Sequence, residues 1–389
     1  MTSQLSGMRG LAAPPRPAAP RGPLLTVDLS AVAANTALLA SRATGDLMAV
    51  VKADGFGHGA VEVARTALAH GATSLGVTSL AEAWPLRDAG LDVPILSWLN
   101  PVDADFATAV ARRIDLAVPG FEHLAAVAEA PGRTRVHLHL DTGMARDGAS
   151  PADWPRLCAA ARLAERRGRV EVVGVMGHLG CADDPGDTCN ARGRTRFAWG
   201  LEVARAAGLR PRQRHLAATT ATLTDPLSHH TMSRVGAGLV GIDLSGTTRL
   251  RPAMRLAAPL VSVRRVRAGT QVGYGHTFVT DRTTYLGLVP LGYADGLPRV
   301  ASGRAELWHA GRRLPVVGRI SMDQIVVDLG TTGAEVGEVV TVFGPGDEGE
   351  PTVAEWAAWS DTIPHEIVTG IGARVPRRTR PATHLRSVR

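Results

Sequence analysis

Residues 47–79 read LMAVVKADGFGHGAVEVARTALAHGATSLGVTS. Two apolar runs, LMAVVKA at 47–53 and SLGVTS at 74–79, flank AVEVARTALAHGA, whose apolar residues recur at helical spacing. This is a strand, a helix and a second strand, and strands separated by helices pair in parallel. The pattern then repeats. PILSWL at 94–99, IDLAVPG at 114–120, RVHLHLDTG at 135–143, VEVVGVMGH at 170–178, RHLAATT at 214–220 and RVGAGLVGID at 234–243 bring the apolar runs to eight. Ala/Leu/Arg-rich segments such as DWPRLCAAARLAERRG lie between them. Eight such units in roughly 220 residues predict an α/β fold of the TIM-like (β/α)8 barrel type. A doubly wound open sheet is the alternative, weakened because no GxGxxG follows the first strand.

Beyond about residue 253 the texture changes. LVSVRRV, TYLGLVPLGYADG, LPVVGRISMDQIVVDLG and EVVTVFG are β-rich and broken by Gly, Pro and Asp, with one helical segment around TVAEWAAWS. This predicts a separate, mostly antiparallel β domain. The expected division is a disordered tail at 1–22, a barrel at 23–252 and a β domain at 253–389. The tail, MTSQLSGMRGLAAPPRPAAPRG, lacks the apolar core of a signal peptide.

Of the 43 Lys+Arg residues only Lys52 is a lysine, and the net charge is +7. The arginines are scattered among acidic residues and aromatics make up 4%, which argues against a nucleic-acid surface. No run of 18 apolar residues predicts a membrane span. Three cysteines, Cys158, Cys181 and Cys189, with no CxxC spacing argue against a disulfide framework or a zinc site. A reducing, cytoplasmic setting is expected.

Lys52 closes the first barrel strand, and catalytic residues sit at the C-terminal ends of barrel strands. A lysine leaving an apolar strand for a pocket has its ammonium disfavoured. Its neutral amine forms a Schiff base with a carbonyl, which a guanidinium cannot do. A strand-end lysine reaching for water is the bland alternative. MSRVGAGLVG at 232–241 follows the eighth strand, where barrels commonly bind phosphate. The N–H groups of Gly236 and Ala237 suit a phosphate cradle, and Thr219 and Thr220 offer hydroxyls. A Schiff-base lysine beside a phosphate cradle suggests pyridoxal phosphate.

VVKADGFGHG, LDTGMARDG, SRVGAGLVG, GYGHTF, GYADG, GRISMDQ and IVTGIGARVPR follow in the order found in bacterial alanine racemases. Over about residues 23–380 the chain resembles this fold-type III, pyridoxal phosphate-dependent family. The resemblance implies an amino acid racemase, alanine being the expected substrate, working as a homodimer with shared sites. It makes Lys52 the cofactor-bound lysine and one of two bases. Tyr274, from the partner subunit, is the second, and must be deprotonated or strongly polarised by cations. Arg234 resembles the arginine at the pyridine nitrogen, supported by His215, and His178 the histidine beside the cofactor ring. Because a guanidinium does not give up its charge, the pyridine nitrogen stays unprotonated and the electron sink is restrained. Arg146 resembles the arginine that contacts the substrate carboxylate, and Met322 and Asp323 a substrate-facing pair from the partner. Asp183, Arg299, Arg319 and Ile363 match residues of the family's entrance. No metal site is implied.

Three positions depart from the pattern. The family usually has tyrosine at Phe56 and at His365, both touching the phosphate. His139 stands where many members have a carbamylated lysine that orients the carboxylate-binding arginine, so Arg146 needs another partner. These changes motivate two alternatives: a racemase of serine or another amino acid, and a relative that binds the cofactor without turnover. A decarboxylase or aldolase on the same barrel would lack GYGHTF, and the aldolases need a metal.

Overall fold

The computed structural model describes residues 21–382; the expected tail lies outside them except for its last two residues. Strand β1 (Leu24–Asp28) comes first. Eight strands follow: β2 (Asp46–Val50), β3 (Ser74–Val77), β4 (Ile95–Ser97), β5 (Ile114–Val118), β6 (Thr134–His139), β7 (Val170–Met176), β8 (Gln213–His215) and β9 (Met232–Val235). They fall on the eight apolar runs and pair in parallel in the order β8-β7-β6-β5-β4-β3-β2-β9. At the seam, Thr231 N donates to Arg214 O at 3.1 Å and Arg234 N to Ala217 O at 3.0 Å. Helices such as Ala60–Ala69 and Trp154–Arg166 cover the outside. Every residue of β3 and β5 is buried, as parallel strands covered on both faces require.

The second half contributes β10 (Met254–Pro259), β11 (Ser262–Val266), β12 (Gln271–Val272), β13 (Phe278–Val279), β14 (Thr284–Val289), β15 (Glu306–His309), β16 (Arg312–Pro315), β17 (Ile325–Gly330), β18 (Val339–Phe343) and β19 (Arg377–Arg380). One sheet has the order β16-β15-β18-β10-β1-β19, a second β11-β14-β17, and β12 and β13 form a ribbon. All pairs are antiparallel except β1 with β19. The first strand of the chain therefore belongs to the sheet of the second half. Besides the expected helix at Val353–Trp359, a second one runs from Pro364 to Gly370. It packs on the segment after Lys52 and carries His365 onto the barrel.

One expectation is corrected. Cys181 and Cys189 are joined by a disulfide, with Cα atoms 6.4 Å apart. Parity misled the sequence reading: the odd cysteine, Cys158, is a buried free thiol on the helix Trp154–Arg166. The loop after β7 folds back onto the start of the helix Thr188–Ala206, which Asp187 caps through Cys189 N. Among the described residues no helix is long and apolar enough to cross a membrane.

Candidate active site

Lys52 leaves β2 at the C-terminal end of the barrel, half-buried. Burial first, and then Arg146, hold its pKa below the usual 10.5, while Glu82 pulls it the other way. The next residues form a left-handed turn: φ is 51° at Ala53, 53° at Asp54, 62° at Gly55, 58° at Phe56 and 78° at Gly57. Such backbone costs about 1–2 kcal/mol for each residue with a Cβ, so something must hold it. Glu82 does so from the neighbouring helix. Its carboxylate accepts from Ala53 N at 2.7 Å, Thr78 N at 2.8 Å and Thr78 Oγ1 at 2.6 Å. Burial alone would raise the Glu82 pKa, but these bonds bring it below the ordinary value. Asp54 Oδ1 holds the far side by accepting from Ala60 N at 2.9 Å. At Gly57 a Cβ would meet Val368 O at 2.5 Å, so this glycine lets the helix Pro364–Gly370 close in. Sequence reasoning missed Glu82; its spacing within WPLRD-type helix sequence carries no signal.

On β9, the strand paired with β2, Arg234 is buried and shared among main-chain oxygens and imidazoles. Its NH1 donates to His215 O at 2.7 Å and His215 Nδ1 at 2.9 Å. NH2 donates to Gly177 O at 2.7 Å and approaches His178 Nδ1 at 3.3 Å. No described residue accepts from its Nε–H. Burial lowers the Arg234 pKa to about 10, so it stays charged at neutral pH. Burial and then Arg234 push His178 to about 3, and it stays neutral.

Arg146 stands exposed in the loop after β6. Asp141 Oδ1 shapes that loop by accepting from Gly143, Met144 and Ala145 N at 2.8, 3.0 and 3.2 Å. His139 does not turn to Arg146. Its Nδ1 lies 3.3 Å from Asp147 Oδ2, a contact too poorly aligned to serve as a hydrogen bond. Arg146 has no hydrogen bond or ion pair among the described residues, and its guanidinium is open to an anion.

The expected phosphate cradle is corrected at Gly236, whose N–H is already engaged by Thr219. Thr219 Oγ1 accepts from Gly236 N at 3.2 Å and Gly238 N at 3.3 Å, and Ala237 N–H has no described acceptor. Phe56 packs its ring on Gly236, where a Cβ would lie 2.8 Å from Phe56 Cε2 and Cζ. His365 is beside it, ring centroids 6.0 Å apart, so two of the three departures from the family are neighbours. Burial and then Lys52 lower the His365 pKa, and its buried Nδ1 has no partner. These unpartnered groups fit pyridoxal phosphate: His365 Nδ1 and Ala237 N–H at the phosphate, the Arg234 Nε–H at the pyridine, Lys52 at the aldehyde.

The remaining predicted residues stay apart from this cluster. Tyr274 lies in the turn between β12 and β13 and is 69% exposed. Gly273 and Gly275 beside it have φ of 69° and 71°, and a Cβ at Gly275 would meet Arg319 NH1 at 2.8 Å. Met322 is 52% exposed, and Asp323 accepts from Arg374 NH2 at 2.7 Å. No hydrogen bond or ring contact joins any of them to Lys52.

A family model described as the alanine racemase N-terminal domain matches residues 27–243, and one for the C-terminal domain matches 253–379. The chain belongs to the alanine racemase family. It is therefore a pyridoxal phosphate-dependent isomerase. It is 47% identical over 362 residues to the alanine racemase of Thermobifida fusca, covering 90% of this chain and 96% of that one. The fold matches the crystal structure of alanine racemase from a D-cycloserine-producing Streptomyces lavendulae with a TM-score of 0.90 at 42% identity, over 94% and 98% of the two chains. For the Streptomyces coelicolor enzyme the TM-score is 0.88 at 44% identity, over 92% and 98%.

Proposed function

We propose that this chain interconverts L- and D-alanine with two opposed bases, Lys52 of one subunit and Tyr274 of its partner. The observation that carries this is the split of the site. The barrel, joined by His365 from the helix Pro364–Gly370, gathers the groups that fit the cofactor, yet the second base, Met322 and Asp323 stand exposed on the β domain. A homodimer that brings the β domain of one chain over the barrel mouth of the other completes the set. In this division the cofactor belongs to the barrel, 23–252, with His365 reaching it from the same chain's second half, and the second base to the β domain, 253–389.

Pyridoxal phosphate, when bound, supplies the electron sink that makes the substrate α-proton acidic. Arg146 binds the substrate carboxylate. The neutral Nζ of Lys52 takes the proton from Cα on one face, breaking the C–H bond, and Tyr274 Oη returns a proton to the other face. The opposite direction runs the same two transfers in reverse. Arg234, charged and donor-only, keeps the pyridine nitrogen unprotonated. The neutral imidazole of His178 adds no charge beside it.

Alanine is favoured over the alternative substrates because two of the three departures, Phe56 and His365, cluster at the phosphate end, and the third, His139, leaves Arg146 itself in place along with Lys52 and Tyr274. The proposed compartment is the cytoplasm, where a Cys181–Cys189 disulfide would be unusual. The test is exchange of the α-proton with deuterated water over a panel of L-amino acids. Alanine is expected to exchange and invert fastest; faster turnover of serine, or no exchange with any amino acid, would contradict the reading.

A further inference from the structure

Behind Arg234 the polar contacts continue down through the barrel. His215 Nε2 lies 2.8 Å from His137 Nδ1. His137 Nε2 lies 3.6 Å from Asp115 Oδ2. Asp115 accepts both prongs of Arg135, from Nε at 2.8 Å and NH2 at 3.1 Å. His137 and His215 are wholly buried and Asp115 nearly so. The column uses β9, β8, β6 and β5 in turn. It starts among the site residues and ends where Asp115 and Arg135 line a cavity of about 230 Å³ near the strand N-termini.

Chemistry fixes the direction of every bond. A guanidinium only donates, so His215 Nδ1 must accept from Arg234, and the one proton of a neutral ring sits on Nε2. Burial and then Arg234 hold the His215 pKa well below 6.5, so the ring is neutral. Its Nε2–H then donates to His137 Nδ1, which leaves the His137 proton on Nε2, facing Asp115. Burial would raise the Asp115 pKa, but His137 and Arg135 bring it below its ordinary value, so it is an anion. His137 Nε2 makes no hydrogen bond, and Asp115 Oδ2 at 3.6 Å faces it as a nearby charge.

The backbone makes room for this arrangement. A Cβ on Gly174 of β7 would lie 2.1 Å from His137 Nδ1 and 2.6 Å from Cε1. The β6–β7 register also shifts between Val136 and His137. Barrel interiors are ordinarily filled by branched apolar side chains, and two buried imidazoles cost more than leucines unless their bonds are used.

We propose that His137 and Asp115 are positioning residues for the racemase reaction: through His215 they fix the tautomer that accepts from Arg234, and so hold that guanidinium in one orientation. The proposal rests on Arg234 as the pyridine-side arginine. Its first readout uses protein without cofactor, so the two can fail separately.

The experiment is 15N spectroscopy of the histidine rings in the full chain, with and without cofactor, alongside kcat and KM. In the wild type, His215 and His137 are expected as single Nε2–H tautomers. In His137→Leu, His215 is expected to show a second, Nδ1–H form, and kcat to fall about tenfold with KM within about twofold. His137→Asn keeps an acceptor oxygen where Nδ1 was, and is expected to restore the single tautomer and kcat to within about threefold. Gly174→Ala, which displaces the ring from the next strand, is expected to copy His137→Leu. If His137→Leu does not fold, Gly174→Ala and His137→Asn decide. The proposal is overturned by an Nδ1–H tautomer in the wild type, by an unchanged His215 signal or unchanged kcat in the folded disrupting variants, or by failure of folded His137→Asn to rescue. Correct tautomers in the wild type together with no cofactor binding would instead count against Arg234 as the pyridine-side residue.

Discussion

Glu82→Ala tests how Lys52 is held. Three residues with a Cβ, Ala53, Asp54 and Phe56, sit in left-handed backbone within the turn that follows Lys52, a cost of about 3–6 kcal/mol in total. Glu82 offsets part of it with one hydrogen bond to Ala53 N, and is itself anchored by two from Thr78. Because water competes at this half-exposed carboxylate, each is worth about 1 kcal/mol. Their loss should therefore cost about 3 kcal/mol, and for a chain of this length should lower Tm by about 4 °C. The effect on chemistry is larger, because the turn sets where Nζ points: kcat should fall roughly ten- to a hundredfold. There is also a charge effect with a definite sign. Glu82 raises the Lys52 pKa, so its removal should shift Lys52 labelling by an amine-reactive probe, in protein without cofactor, to lower pH. Thermal unfolding, kcat and a labelling pH profile read the three effects. A variant with Tm within 1 °C of wild type, unchanged kcat and an unmoved profile (thresholds set at about the scatter of such measurements) would refute the reasoning.

Gly236→Ala places a Cβ 2.8 Å from two Phe56 ring atoms and should cost about 1–3 kcal/mol by overpacking. Phe56→Leu in the same chain should recover part of it, with a coupling of about 1 kcal/mol in denaturant unfolding; strictly additive losses would contradict the contact. His58 and His178 are held at about 4 and about 3, and His215 well below 6.5. These rings are neutral when folded and gain protons when unfolded below 6.5, so their stabilisation is complete above that pH. It should be lost as pH falls toward about 4, at up to about 1.4 kcal/mol per pH unit for each ring. Urea unfolding at pH 7.5, 6 and 5 checks this, and a flat profile contradicts it. For the disulfide, thiol titration in denaturant should find one reactive cysteine, Cys158, without reductant and three with it.

The barrel was legible because parallel strands buried on both faces leave uninterrupted apolar runs, and eight of these are hard to mistake. β1 was not assigned to its sheet: Leu25 pairs with Leu256, and nothing in five residues announces a partner so far along the chain. The site chemistry was legible wherever residue type is limiting, as at Lys52, where only an amine serves. Arrangement was less so. Ala53, Asp54 and Phe56 are ordinary residues whose left-handed backbone is imposed by Glu82 and by the helix at Pro364–Gly370. His137 and His215 meet across the barrel from 78 positions apart, in a space that only Gly174 leaves open. The Cys181–Cys189 pair depended on where a loop folds, which a count of cysteines does not contain.

The central claim is that each site takes Lys52 from one chain and Tyr274 from another. It is tested most directly by mixing a Lys52→Ala chain with a differently tagged Tyr274→Phe chain and purifying the heterodimer. One of its two sites then holds both intact bases, and the account predicts about half the wild-type alanine racemase rate per dimer. A heterodimer that forms but stays as inactive as either parent would contradict it.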